Sequence, residues 1–248
     1  MDGKGRDNLP ATSRASSAAK RLLAWMLRWR PRSAAESAWR SRKRIADREF
    51  DARYGVDTGG VSVPRDPRIP AALRHAAVPH IASDPGEFAA AMSAVTLRHA
   101  DLTFVDIGSG KGRAVIMAAA LPFRRILGVE FDARLHRAAV ANLRRAASKG
   151  VDVARIDLVH GDATCVDLPE GHLLVYLYNP FNREVMQRFV AHVQRSLALV
   201  ARSLFVCYVN PFFEDVWTEA GFAVVARVGN CVVLAADPPH RSDERPGT

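Results

Sequence analysis

Little in this chain points to covalent cross-links, metal centres or membrane spans. Its 248 residues hold three cysteines, Cys165, Cys207 and Cys231. They are far apart, with no Cys-x-x-Cys pair and no companion histidine spacing for zinc, so no metal site is read from them. A sparse, odd set argues for a reducing cytoplasm and against a disulfide framework. Cys207 and Cys231 lie in apolar runs and read as small core residues. No apolar run reaches the roughly 18 residues from which a membrane-spanning helix is read. No internal repeat organises the chain. Most of it also lacks net charge. Residues 1–48 carry thirteen Lys/Arg against four Asp/Glu, a net of +9 that equals the formal charge of the whole chain, so the other 200 residues are neutral. Surfaces that track phosphates need clustered Lys/Arg, and those 200 residues do not supply them in bulk.

What is present is ordinary globular material, 48% apolar, enough for one sizeable α/β domain with an extension. Its most informative stretch is Phe104-Val105-Asp106-Ile107-Gly108-Ser109-Gly110-Lys111-Gly112. An apolar run ends in an acid, and a Gly-x-Gly-x-Gly turn then opens a helix-like stretch, Arg113 to Leu121. The free N–H groups of a helix's first turn point at whatever sits there, and glycines let a ligand approach the main chain. The dinucleotide fingerprint fits poorly. It wants a third small residue where Arg113 stands, and Asp106 would repel a pyrophosphate. An acid there suits a ligand with a cationic amino group and no phosphate. Lys111 reads as solvated.

Strand and helix patterns alternate from Leu102 onward. Nearly continuous apolar runs at 102–107, 125–130, 155–160, 172–178 and 203–209 predict buried parallel strands, with helices at 113–121, 132–148 and 182–200 between them. Phe222 to Val228 and Cys231 to Ala236, around Gly229-Asn230, predict a closing antiparallel hairpin. Upstream, Ser83-Asp84-Pro85 predicts a capped helix from Gly86 to Leu97. Ser33 to Arg48 reads as a basic helix, and Phe50 to Gly60 as a break with turns at Gly55, Gly59 and Gly60. Four prolines, Pro64, Pro67, Pro70 and Pro79, keep the next segment irregular. Four regions result: 1–49, basic and partly disordered; 50–100, a cover or substrate segment; 101–237, the ligand-binding domain; and 238–248, a polar tail.

These motifs together resemble the class I (seven-strand) S-adenosylmethionine-dependent methyltransferases, over Leu102 to Ala236. The resemblance implies a Rossmann-like, mostly parallel sheet with a terminal antiparallel hairpin and an N-terminal helical extension. It also implies S-adenosyl-L-methionine as cofactor and methyl transfer as activity. Asp106, Gly108, Gly110 and Gly112 match the first motif, which meets the amino-acid end of the cofactor. Glu130, closing Arg125 to Glu130, matches the acid that holds the ribose hydroxyls. Asp162 and Ala163, after Ile156 to His160, match the adenine contacts. The fourth strand runs through Tyr176 and Tyr178 into Asn179-Pro180-Phe181, which resembles the Asn/Asp-Pro-Pro-aromatic signature of enzymes that methylate amino groups. There an amide oxygen and a backbone carbonyl accept the amine hydrogens and the aromatic stacks on the substrate. Asn179, Pro180, Phe181 and Tyr178 are therefore the candidate catalytic residues. The second proline is missing, which moves Phe181 up one place and leaves an alkyl amine as good a fit as a planar one. Asn210-Pro211-Phe212 repeats the tripeptide at the next strand end and reads as a loop. By the same resemblance Tyr54, Asp57 and the loop His80 to Asp84 are candidates to line the pocket.

The acceptor implied is a nitrogen, with a protein side chain preferred over RNA or a small molecule. A non-enzymatic cofactor-binding module, an aminopropyltransferase and an NAD-dependent oxidoreductase are the alternatives of another kind. Lys20 to Arg30, basic and rich in Leu and Trp, predicts a short helix stopped by Pro31. Its apolar centre is too short and too closely flanked by arginine for a signal peptide. Three readings of it stay open: docking on its own domain, lying on an anionic membrane surface, or contacting RNA. The expected localisation is cytoplasmic with optional peripheral membrane contact, and residues 1–48 are expected to be dispensable for cofactor binding.

Overall fold

The computed structural model describes residues 34–62 and 80–236. The chain divides into two compact units, Met1–Lys43 and Arg44–Thr248. Of the first, the described part is helical, the start of α1 (Ala34–Tyr54). The expectations for Met1 to Ala19, for Lys20 to Arg30, for the prolines between 64 and 79 and for the 238–248 tail fall outside the described residues. No helix among those described is long and apolar enough to cross a membrane.

The second unit is built on a seven-stranded sheet. In chain order its strands are β3 (Leu102–Ile107), β4 (Arg125–Glu130), β5 (Ile156–His160), β6 (His172–Tyr178), β7 (Leu204–Val209), β8 (Ala223–Val228) and β9 (Cys231–Ala236). Their spatial order is β5-β4-β3-β6-β7-β9-β8. The first five are mutually parallel, and β9 runs antiparallel between β7 and β8. β1 (Val61–Ser62) and β2 (His80–Ile81) form a separate antiparallel pair. This strand order, with its reversed closing hairpin, is the Rossmann-like class I methyltransferase fold. The strands follow from composition: all six residues of β3 and of β7 are buried, as expected of strands covered on both faces.

Alternate residues supply two cores. Phe104, Tyr176 and Cys207 face one side with α2 (Pro85–Ser93), α3 (Arg113–Ala119) and the buried edge of α4 (Ala133–Ala147). Val105, Ile107, Val175 and Leu177 face the other, with α5 (Arg183–Leu199) and Trp217 of α6 (Glu214–Glu219). The chain reverses its direction of winding at β3, which has β4 on one side and β6 on the other. In open α/β sheets such a switch point leaves a crevice at the carboxyl ends of the strands.

Three boundaries differ from expectation. α1 continues to Tyr54 through the segment read as a break, because Phe50 is buried and Asp51 has partners on both sides; it stops at Gly55, whose φ is +66°. The division of the chain therefore falls between Lys43 and Arg44, ahead of residue 49. α2 starts at Pro85 on the N-cap Asp84, as the sequence suggests, but ends at Ser93, four residues before Leu97, where Ala94 and Val95 close tight turns onto Ala91 and Met92. α6 is the third difference: no periodic signal predicts a helix of six residues.

Candidate active site

The turn after β3 lies against its neighbours. Gly108 and Ser109 donate their backbone N–H groups to the carbonyl of Val129 at 2.9 and 3.0 Å. Gly108 has φ +75°, and a Cβ there would sit 2.8 Å from Cβ of Pro180. A side chain would be strained both by conformation and by contact, so this glycine is what lets the first motif and Asn179-Pro180-Phe181 touch. Gly112, at φ +87°, starts α3 and packs on Ala139 of α4, where a Cβ would lie 3.3 Å from the alanine's. Its place is a helix contact.

Two buried carboxylates meet at this turn. Glu130 at the end of β4 accepts N–H from Gly110 and from Asp132, each at 2.8 Å. Burial raises its pKa to about 7, against the pull of those two donors. Asp106 is 4% exposed, and no donor among the described residues bonds its carboxylate. Burial, and then the nearby Glu130 charge, push its pKa to about 8. Leaving a buried carboxylate without a partner is costly. The arrangement fits a ligand that brings its own cation or donors to Asp106. Glu130 stands opposite His160 in the β4–β5 register, and its backbone carbonyl accepts N–H from Gly161. Asp162 and the buried Ala163 follow at once. One oxygen of Asp162 accepts both the N–H and the hydroxyl of Thr164, at 2.9 and 2.8 Å. It shapes a local turn as well as standing beside Glu130.

Across β3, the ends of β6 and β7 carry neutral groups. Asn179 is buried at φ +40°, and Asn210, one strand over, is at φ +51°. Non-glycine residues in this region are few and mostly Asn, Asp or His. Tyr208 donates its hydroxyl to Oδ1 of Asn179 at 2.9 Å. Burial, followed by the nearby Glu87 carboxylate, pushes the pKa of Tyr178 up to about 12. Phe181 does not stand open at the strand end as its stacking role would require. It is 9% exposed and packs edge-on to Phe189 at 5.9 Å, a consequence of its place directly after Pro180.

The segment from Asp47 to Asp57 is tied to the glycine turn by residues the sequence reading passed over. Arg113 is 1% exposed. It forms ion pairs with Asp47 and, at 3.3 Å, with Asp51, donates to the Thr58 hydroxyl at 2.7 Å, and lies 4.8 Å over the Phe50 ring. Asp51 in turn accepts from the Thr58 hydroxyl and from the N–H of Gly59. Asn142 on α4 bonds both the N–H and the carbonyl of Asp57 and the carbonyl of Lys111. Lys111 is not solvated: its ammonium donates to Asp57 and to the Gly59 carbonyl. The signal was present, since an arginine ahead of Ala-Val-Ile-Met-Ala-Ala has no polar face to reach and so requires buried partners. Asn142 falls on the buried stripe Leu135, Ala139, Asn142, Ala146.

Other expected pocket residues have separate places. Ser83 receives the Tyr176 hydroxyl at 3.0 Å, and Asp84 caps α2. Tyr54 and Asp84, with Phe50, Phe88, Met92 and Leu121, line a cavity of about 620 Å³. None of Asp106, Glu130, Asp162 and Asn179 lines it, so Tyr54 opens on a different space from the acids.

No protein-family model matches the chain, and no curated protein matches its sequence. Its fold is similar to solved structures at low identity. One is an RNA methyltransferase from Salinibacter ruber in complex with S-adenosyl-L-homocysteine, at 19% identity and TM-score 0.45 over 68% of this chain and 100% of that one. Another is a ribosomal protein L11 methylase from Lactobacillus delbrueckii subsp. bulgaricus, at 20% and 0.43 over 62% and 77%. A third is precorrin-6y C5,15-methyltransferase from Geobacter metallireducens GS-15, at 17% and 0.43 over 60% and 85%. At these levels the likeness is one of fold.

Proposed function

We propose that the protein is an S-adenosylmethionine-dependent methyltransferase acting on a nitrogen, with a protein side chain as the preferred acceptor. The observation that carries the reading is the pair of buried acids, Asp106 and Glu130, flanking a glycine turn at the switch point of this sheet. A dinucleotide's phosphates would be repelled there, whereas an ammonium group would meet a buried carboxylate that has no donor among the described residues. In this reading Asp106 holds the cofactor's amino group, Gly108 and Gly110 make room for its chain, Glu130 takes the ribose hydroxyls, and Asp162 with the Ala163 N–H takes the adenine. The bound cofactor supplies an electrophilic methyl group on a sulfonium. The protein's own task is then to align the nucleophile and leave its lone pair free. Asn179 fits that task because its left-handed backbone and the Tyr208 hydroxyl hold its amide in one place. Tyr178 flanks it. The preference for a protein acceptor rests on the neutral charge of residues 49–248. Cytoplasmic residence, and contact of the basic N-terminus with an anionic membrane or RNA, belong to the same reading.

Titration calorimetry with S-adenosylhomocysteine tests the cofactor. Heat with that ligand and none with NAD is expected; the reverse would make the protein a dinucleotide enzyme. Methyl-tritium labelling of fractionated lysate, counted separately in protein, RNA and small-molecule pools, tests the acceptor. Label confined to RNA would overturn the protein preference. Asn179→Ala is expected to abolish labelling while leaving the calorimetric affinity in place.

A further inference from the structure

The tripeptide Asn-Pro-Phe occurs twice, at 179–181 and at 210–212, and the structure sets the two copies on neighbouring strands. Tyr178 is in register with Val209, so Asn179 and Asn210 leave β6 and β7 side by side. Both asparagines are left-handed. Their side chains are each held by a neutral partner, Asn179 by the Tyr208 hydroxyl and Asn210 by the Asn230 amide. The aromatic residues differ. Phe181 is buried against Phe189, whereas Phe212 is 54% exposed.

A single exposed aromatic on a loose loop would need no explanation. This loop is not loose. Asn210 bonds Asn230 through both backbone and side chain. Phe212 N–H closes a turn onto the Asn210 carbonyl at 2.8 Å. Arg183, at the start of α5, lies 5.5 Å over the Phe213 ring and pairs with Asp215. Everything around Phe212 is fastened, and its ring is left in water beside the reacting strand end. A flat apolar surface fixed in that position is suited to a flat apolar partner.

We propose that Phe212 is a specificity-determining residue of the acceptor site, and that the acceptor carries an aromatic or similarly flat group next to the nitrogen that is methylated. The proposal rests on the methyltransferase reading and narrows its substrate class.

Saturation-transfer NMR on the full-length protein tests it, with benzylamine and butylamine as probes, run with and without S-adenosylhomocysteine. In the wild type the benzylamine ring protons should take up saturation and butylamine should take up less. Phe212→Ala should lower the benzylamine signal by about fivefold, and Phe212→Trp should keep it. The ring is exposed, so neither change disturbs the core, and the S-adenosylhomocysteine affinity should be equal in all three proteins. No benzylamine signal in the wild type, an equal signal in Phe212→Ala, or an equal signal from butylamine would each overturn the proposal. Absence of S-adenosylhomocysteine binding in the wild type would instead bring down the methyltransferase reading, and the two failures are read from separate signals.

Discussion

At the ends of β3 and β4, two carboxylates are buried, and among the described residues their bonded donors are backbone N–H groups on Glu130 alone. At the ends of β6 and β7, on the same edge of the same sheet, the two asparagines are held by neutral groups, Asn179 by the Tyr208 hydroxyl and Asn210 by Asn230, and among the described residues neither is bonded to a charged side chain. Much of the scaffolding is shared: parallel strands, left-handed residues where β3, β6 and β7 end, and tight contact across Gly108 and Pro180. The electrostatics are opposite. A half that awaits a cation can hold unpaired acids, because the ligand offsets their desolvation. A half that must leave a nucleophile uncharged and a lone pair free does better with neutral dipoles. The comparison also shows where the stability of the acidic half comes from. Its turn is buttressed by Arg113, Asn142 and Lys111, whereas the neutral half holds itself through pairs between its own strand ends.

The largest expected effect comes from removing that buttress. Arg113→Ala leaves Asp47 and Asp51 without their buried partner. Breaking such a pair costs about 3–5 kcal/mol, or roughly 6–20 °C in Tm for a protein of this size, measurable by thermal denaturation. For the same reason a chain beginning at Phe50 should lose S-adenosylhomocysteine affinity, while one beginning at Arg44 keeps it. That reverses the expectation that residues 1–48 are dispensable. If Arg113→Ala melts with the wild type, the buttress is decoration and the two halves are equally self-supporting.

Next in size is Glu130→Ala. It should weaken S-adenosylhomocysteine binding by about 1–3 kcal/mol, the scale of charge-assisted hydrogen bonds, and leave benzylamine saturation unchanged. A loss of both would show that the halves are coupled.

The contrast also has a pH signature. Burial raises Asp106 to about 8 and Glu130 to about 7, above their ordinary values. Without cofactor the folded protein therefore binds more protons than the unfolded chain. Its stability should fall as pH rises from about 4 to about 8, the reverse of the usual carboxylate behaviour. Cofactor affinity should rise over pH 6–8, by up to roughly tenfold per unit for one proton released. Asp106→Asn should flatten both trends, and a flat wild-type profile would remove the charge asymmetry.

The smallest effect belongs to the neutral half. Tyr208→Phe deletes one neutral hydrogen bond, worth about 0.5–1.5 kcal/mol. It should slow methyl transfer roughly two- to tenfold with S-adenosylhomocysteine affinity unchanged. A loss of affinity would mean that the Asn179 clasp serves the cofactor.

By itself the sequence determined the sheet and the two acids at the ends of its central strands. Buried parallel strands announce themselves as continuous Val, Ile, Leu and Phe, and β3, β4 and β6 begin and end where those runs do. Asp106 and Glu130 were legible because an acid closing such a run has few structural reasons to be there. The closing hairpin was legible from Gly229-Asn230. Only the tertiary structure decided what those residues meet. Whether Lys111 is solvated depends on Asp57, 54 positions away. Whether Phe181 or Phe212 stays in water depends on Phe189 and on a loop fastened by Asn230 and Arg183. The reach of α1 to Tyr54 depends on Arg113, which no local pattern connects to Asp47. Periodicity and turn chemistry are local and survive in a string of letters. Partners for buried charge are chosen across the fold, where distance along the chain counts for nothing.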